Sequence, residues 1–466
     1  MSSAIPILDL AGFLADPVAP TAFPSFRMRF WNARWADAVS LGHLDEAAQI
    51  AHFGRFEPLP GNLSQPLALR YHGHQFGVYN PDLGDGRGFL FAQLRDPDGR
   101  LLDLGTKGSG QTPWSRQGDG RLTLKGGVRE VLAASYLEAL GVNTSKAFAL
   151  VETGEALQRN DEPSPTRSSV LTRLSHSHIR FGSFQRLAYF EDRESMARLV
   201  NYCVATFHPE ADDPDMGRKV CGLLERVAVA TGRMIGQWMA AGFVHGVMNT
   251  DNFNITGETF DFGPWRFLPV SDPNFTAAYF DQNGLYRFGR QPVQGAWALQ
   301  QLASALLLLA DADDLAQALA PYQIAYRDSF IAHTHALLGL EPVGEGESDL
   351  DFLQAFYGWM TESGASWPQV FHDWFGGAAS EARAAASPQA ALYAADAFAP
   401  VRAQILARAP IWPERLSHDI FQRPLPPSLL VDEVEALWAP IAEADDWSAY
   451  ASKLEDIEAL RLARRG

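Results

Sequence analysis

The chain has 466 residues, a formal net charge of −17, 47% hydrophobic and 20% charged residues, and 12 tryptophans. That balance supplies a large buried core and excludes broad electrostatic attachment to nucleic acid or acidic lipid, which needs clustered Lys and Arg. Two cysteines, Cys203 and Cys221, form neither a disulfide framework nor a zinc pattern, and the longest apolar run, 302–310, is too short to span a bilayer.

The opening stretch, MSSAIPILDLAGFLADPVAP, lacks a basic region and carries Asp9 and Asp16. It predicts no signal peptide, and with the sparse cysteines it places the chain in a reducing cytoplasm. Residues 1–70 mix short helical patterns with Pro-rich turns. From about 76 to 152 the pattern is strand-like and punctuated by glycine. In YNPDLGDGRGFLFAQL, Gly84, Gly86 and Gly88 flank Asp85 and Arg87. Such glycines let backbone N–H groups approach a phosphate, and they equally suit a solvent turn. The segments GFLFAQLRD and LLDLGTKG read as strands joined by the turn PDG.

Lysine is scarce: five occur, and three of them, Lys107, Lys125 and Lys146, fall within 40 residues. Lys107 falls on or just after a strand in LGTKGSGQTPWSR, and Glu130 lies on the helix predicted over 128–142, with Gly141 as its stop. A strand Lys paired with a helix Glu can hold an ammonium rigidly against nucleotide phosphates. A surface Lys and a Glu favouring the helix dipole are the plainer alternative. Between them GDGRLTLKGG contributes Asp119, Gly120, Arg121 and Lys125.

A polar loop follows within 154–170, then LTRLSHSHIRFGSF resumes strand-like and leads into helix. Arg173 and Arg180 stand seven apart and could converge on an anion, since guanidinium suits phosphate geometry; isolated surface charges are the alternative. His176 and His178 are two apart, not a helical metal spacing, and read as structural. A long helix is predicted over 221–243, ending near Gly242. After the stretch considered next, the chain is largely helical from 295, and the Ala-rich run 376–400 reads as helix or surface linker. Strands first and helices later give an α+β chain with two lobes.

The segment HGVMNTDNFNITGETFDFG, 245–263, carries the densest chemistry. In protein-kinase-like catalytic loops a His is followed two residues later by an Asp base, seven later by an Asn ligand, and then by DFG. Here Asn252 keeps its place seven after His245, Asp261-Phe262-Gly263 supplies the DFG, and Val247 stands where the base belongs. Asn252 and Asp261 offer oxygen ligands for Mg²⁺ between triphosphate oxygens. Asp251 can accept or orient the proton of an attacking hydroxyl. A tight hairpin with Asx turns is expected between Asn252 and Asp261.

Taken together, YHGHQFG, LGDGRG, GTKGSGQTPWSRQGDGR, VREVL, SHIRFGSFQ, HGVMNTDN, DFGPWRFL and FGRQP, in order from about residue 71 to 292, resemble the selenoprotein O (YdiU-like) family. The resemblance implies a protein-kinase-like two-lobed fold with an extra helical C-terminal region. It implies an enzyme that transfers AMP from ATP, bound flipped relative to kinases, to Ser, Thr or Tyr hydroxyls of proteins. By the same resemblance the ATP contacts fall on Gly84, Gly86, Arg87, Lys107, Asp119, Gly120, Arg173, Arg180 and Asp261. Glu130 is the ion-pair partner of Lys107, Asn252 and Asp261 are the metal ligands, and Asp251 is the base. The metal is Mg²⁺, with Mn²⁺ as the alternative. Many members carry a Cys or selenocysteine near the C-terminus, whereas this chain reads LRLARRG there, so the expectation is that only Cys203 and Cys221 could take part in redox control.

The expected organisation is an N-terminal extension (1–75), a kinase-like N-lobe (76–190), a C-lobe (191–375) and a helical C-terminal region (376–466). Partners are ATP and hydroxyl-bearing protein substrates, with no nucleic acid and no membrane. Three rivals use the same residues: a phosphotransferase moving the γ-phosphate, a silent nucleotide-binding pseudokinase scaffold, and uridylyl transfer from UTP.

Overall fold

The computed structural model describes residues 5–344 and 346–465. Alternating and fully apolar runs in the first 175 residues become strands. In chain order, among the described residues, these are β1 (Ala15–Pro17), β2 (Arg27–Trp31), β3 (Leu67–Leu69), β4 (Gly73–Gln75), β5 (Val78–Asn80), β6 (Leu90–Arg95), β7 (Leu101–Lys107), β8 (Leu122–Thr123), β9 (Lys146–Leu157) and β10 (Thr166–Ser175); β11 (Phe243–Val244) and β12 (Arg266–Phe267) follow later. One antiparallel sheet runs β1-β3-β6-β7-β10-β9-β2, with β8 paired to β10. The rest of the chain is predominantly helical, so the architecture is α+β.

The sheet buries both faces, because side chains alternate across it. One face packs Phe91, Phe148, Val151 and Val170 against Phe53 and Ala36 of the short helices Glu46–Phe53 and Ala33–Ala38. Trp31 meets Phe148 edge-on at 5.0 Å between ring centroids, a geometry aromatic quadrupoles favour. The other face takes the helix Leu124–Ala139, whose Val128, Val131 and Leu132 join a core continuous with the later helices. Thr123 starts that helix by accepting the Gly126 N–H at 3.1 Å, as an N-cap hydroxyl should.

Residues 1–70, read from sequence as helix and turn, also contribute β1, β2 and β3 to this sheet. Strands of three to five residues are too short to display alternation, and their partners are remote: Arg27 pairs with Glu152. The long helix runs Met216–Ala241, five residues earlier than its apolar pattern suggests. Asp215 caps its start by accepting the Arg218 N–H at 3.0 Å, and Gly242 ends it at a left-handed φ of 65°. The Ala-rich run folds as short helical turns that bury Ala384, Tyr393 and Phe398, so it is packed structure and not a linker. No helix among the described residues is long and apolar enough to cross a membrane.

The stretch between Asn252 and Asp261 does turn tightly, with the Asn254 side chain accepting the Glu258 N–H at 3.0 Å. Its two arms do not pair with each other. Asn254 bridges Arg180 and Thr259 bridges Thr144. The expected hairpin is therefore a loop pinned to two other segments, which satisfies its backbone groups from outside.

Candidate functional site

The register of β7 on β10 sets Lys107 opposite Leu171 and Gly105 opposite Arg173. Directly opposed residues share a face, so Lys107 and Arg173 emerge on the side covered by the helix Leu124–Ala139. Glu130 on that helix is buried and ion-pairs with the Lys107 ammonium. The loop 253–255 is stitched to the start of the helix Phe181–Tyr189, which follows β10: Phe181 N–H donates to Phe253 O at 2.9 Å, and the two phenyl rings stack at 5.4 Å. This stitching places Arg180 beside Asp251 and Asp261.

Asp261 collects three cations. Arg173 Nη1 lies 2.5 Å from Oδ1, Arg180 Nη1 bonds Oδ2, and Lys107 Nζ lies 3.7 Å from Oδ1. Burial alone would raise this carboxyl, but Arg173, Arg180 and Lys107 overcome it and hold Asp261 well below the usual carboxylate range. Burial pushes the Lys107 ammonium down, opposed by Glu130. Arg180 also donates to the Asp251 carbonyl at 2.7 Å, lies 3.5 Å from Asp85, and sits over the rings of Tyr71 and Phe260 at 4.6 and 4.7 Å. Those aromatic faces stabilise a guanidinium held away from water.

Asp251 is buried, and its Oδ1 has no hydrogen-bond partner among the described residues. Burial pushes its carboxyl up to about 6, against the pull of Arg180. A Cβ on Gly73 would come within 2.9 Å of that oxygen, so only glycine allows β4 to lie this close. The Asn252 amide donates to Val247 O at 2.9 Å, which orients the side chain and leaves its oxygen as the remaining acceptor. His245 is a structural residue: it is buried, stacked on Trp238 at 5.3 Å, and hydrogen-bonded to Phe260 O at 3.1 Å.

These groups line one open cleft of about 820 Å³. It brings together Gly84, Gly86, Arg87, Lys107, Asp119, Gly120, Arg173, Arg180, Asp251, Asn252 and Asp261, with Glu130 behind Lys107. Seven cationic side chains face four acidic ones there, in a protein whose net charge is −17. Gly84 has a packing reason of its own, since a Cβ there would come within 2.4 Å of the Trp114 ring. Asp119 is partly exposed and paired with Arg159 at 2.8 Å. Lys125 points elsewhere, to Glu435 at 2.6 Å. His176 and His178 are tied into local hydrogen bonds with Leu101 O and Ser175 Oγ.

Sequence reading did not single out Tyr71, Arg116, Asn249, Arg159 or Phe280, which share the cleft. Tyr71 and Asn249 lie inside motif strings quoted above, but nothing local marks what they touch. The Asn252 oxygen, free among the described residues, is a hard donor of the kind a divalent cation takes, and the two Asp261 oxygens, here engaged by Arg173 and Arg180, are of the same kind.

A family model described as protein adenylyltransferase SelO matches residues 7–458. A protein nucleotidyltransferase YdiU from Synechocystis is 41% identical over 466 residues, covering 95% of each chain. Its namesake from Synechococcus elongatus is 47% identical over 337 residues, 72% of this chain and 67% of the relative. The one from Vibrio cholerae is 40% identical over 334 residues, again 72% and 67%.

Proposed function

The chain belongs to the SelO family of protein adenylyltransferases, and is a protein nucleotidyltransferase; from that premise we propose that it moves AMP from ATP to Ser, Thr or Tyr hydroxyls of other proteins. The acceptor oxygen attacks the α-phosphorus, the bond to the bridging oxygen of the β-phosphate breaks, and pyrophosphate leaves. Asp251 takes the hydroxyl proton through its free Oδ1. Lys107, fixed by Glu130, and the arginines Arg173 and Arg180 balance the triphosphate charge, while Gly84, Gly86, Arg87, Asp119 and Gly120 line its approach.

The observation that carries this reading is the depth of Arg173 and Arg180. Both are buried, and both crowd Asp261 at the inner end of the cleft. Cations there suit β- and γ-phosphates directed inward, which turns the α-phosphate towards the acceptor. A kinase presents the γ-phosphate instead.

Asn252 and Asp261 are the residues to hold Mg²⁺, or Mn²⁺ in its place, and the ion would supply further neutralisation of phosphate charge. The cleft is lined from the sheet side by residues 71–180 and from the helical side by 247–280. That supports a kinase-like two-lobed arrangement: N-lobe 76–190, C-lobe 191–375, an extension 1–75 and a helical region 376–466.

Incubation of the chain and an acceptor protein with ATP labelled on the α- or on the γ-phosphate, followed by intact-mass measurement, tests the assignment. Acceptor labelling from the α-position alone is expected, at the mass of AMP. Labelling from the γ-position alone would make the protein a kinase. EDTA should abolish transfer, and full activity in its presence would strip Asn252 and Asp261 of their metal role.

A further inference from the structure

The activity requires a protein to bring its hydroxyl to Asp251, yet none of the groups assigned so far would hold a polypeptide. An exposed aromatic and aliphatic patch stands at the mouth of the cleft on the Asp251 side. Val78 is 71% and Tyr279 83% exposed, and Phe76 and Phe280 are exposed beside them. Phe76 meets Phe280 at 5.9 Å between ring centroids, Phe280 meets Tyr279 at 5.1 Å, and Val78 pairs with Gln75 across the β4–β5 ribbon. Contiguous apolar groups rimmed by polar ones mark interaction surfaces more often than chance exposure.

The patch is built onto the reaction centre. Phe76 N–H donates to Asn249 Oδ1 and to Tyr286 Oη, each at 3.1 Å, and Tyr286 Oη donates to the same Asn249 oxygen at 2.8 Å. His74 N–H donates to Thr250 Oγ1 at 2.8 Å. Asn249 and Thr250 directly precede Asp251. Phe76 holds a left-handed φ of 50°, uncommon for an aromatic residue, and strain of this kind persists only where surroundings enforce it. Phe280 and Gln75 line the cleft as well, so its polar interior passes without a break into the apolar ledge.

We propose that this ledge, formed by Phe76, Val78, Tyr279 and Phe280, docks the segment of the acceptor protein that carries the hydroxyl, by taking an aliphatic or aromatic side chain next to the modified residue. Continuity with the cleft decides the occupant. Whatever covers the ledge lies within reach of Asp251, and a protein acceptor is the one macromolecule the reaction demands there. The inner end of the cleft, with Arg173 and Arg180, is suited to the nucleotide. This inference rests on the AMP-transfer reading above.

The test uses the full chain, α-labelled ATP and synthetic peptides that present one Ser, Thr or Tyr, flanked either by Leu and Phe or by Glu, Lys and Gly. The apolar-flanked peptides should show a KM at least tenfold lower. In the double variant Val78→Glu, Tyr279→Glu that advantage should vanish, while the affinity for ATP, measured by calorimetry, stays that of the parent. Equal KM values for the two peptide sets overturn the docking ledge, as does a double variant that keeps the preference. Absence of label on every peptide and protein offered to the parent would instead defeat the AMP-transfer reading, and the ledge with it.

Discussion

Two carboxylates in this molecule each gather three cations, and they do so in opposite surroundings. Asp261 holds Arg173, Arg180 and Lys107 at the inner end of the cleft, with its side chain 16% exposed. Asp445, between the helices Val431–Ala444 and Ser448–Arg465, holds Arg27, Arg29 and Arg167, with its side chain 41% exposed. The connectivity is alike, but water screens one network and is largely excluded from the other. At the surface, surplus positive charge is met by solvent and salt, and a single exposed pair contributes little. In the cleft the three cations that meet at Asp261 are also faced by Glu130, which pairs with Lys107, and Asp85, which lies near Arg180, where burial leaves little solvent to screen them.

Removing the buried centre should have the largest effect. Asp261→Ala leaves Arg173 and Arg180 facing each other without a shared counter-charge, a loss on the order of 3–5 kcal/mol for breaking a buried pair. AMP transfer should fall to background, and thermal unfolding should shift down in the apo protein and partly recover with ATP. Unchanged unfolding would show that the three cations do not depend on Asp261.

Removing the cations instead should separate binding from stability. Arg173→Ala with Arg180→Ala should weaken ATP binding by several kcal/mol, at about 1.5–3 for each charged hydrogen bond lost. AMP binding should change far less, because AMP lacks the inward phosphates. Calorimetry with both nucleotides decides the matter, and equal losses for the two would contradict the inward placement.

Asp251 lies at the edge of the buried network and touches Arg180 only through its backbone. Asp251→Ala should slow transfer by about 10²- to 10⁴-fold, the usual range for a general base, with ATP affinity nearly unchanged. A normal rate would reduce Asp251 to a turn residue.

The smallest effect belongs to the exposed network. Asp445→Ala should cost about 1 kcal/mol or less, and 1 M salt should erase most of the difference from the parent. Hydrogen bonds from Trp447, Arg167 and Arg29 hold the Asp445 carboxyl below its ordinary value. Its contribution is therefore complete above that value, near 3.8, and is lost as the pH falls below it. Denaturant melts at pH 7 and pH 3 should show the gap between variant and parent narrowing at the lower pH.

The two networks also differ in how far sequence discloses them. Lys107, Glu130, Arg173, Arg180, Asn252 and Asp261 lie in motif strings whose spacing is readable, and the pair β6–β7 and the helix to Ala241 follow from apolar runs closed by PDG and Gly242. What spacing cannot convey is who meets whom. That Arg173 and Arg180 share a carboxylate more than 80 residues away depends on the β7–β10 register and the bridge of Arg180 to Asn254. Strands β1, β2 and β3 stayed hidden for the same reason, since short extended segments declare themselves only through distant partners. Asn249 reads as one more polar loop residue until Phe76 and Tyr286 are seen to converge on it.

The fastening at Asp445 has a consequence for how the chain assembles. Strand β2 is an edge of the large sheet, and its Arg27 and Arg29 wait on a residue more than 400 positions later. During synthesis the sheet can form its central pairs early, but this edge stays unlatched until the last helices emerge. Until then its unpaired backbone groups are a template for unwanted strand pairing, tempered by the two arginines that also repel a second copy of the same edge. The ion pairs of Arg27 and Arg29 with Asp445 thus tie the edge strand to the helices Val431–Ala444 and Ser448–Arg465, which follow it by about 400 residues.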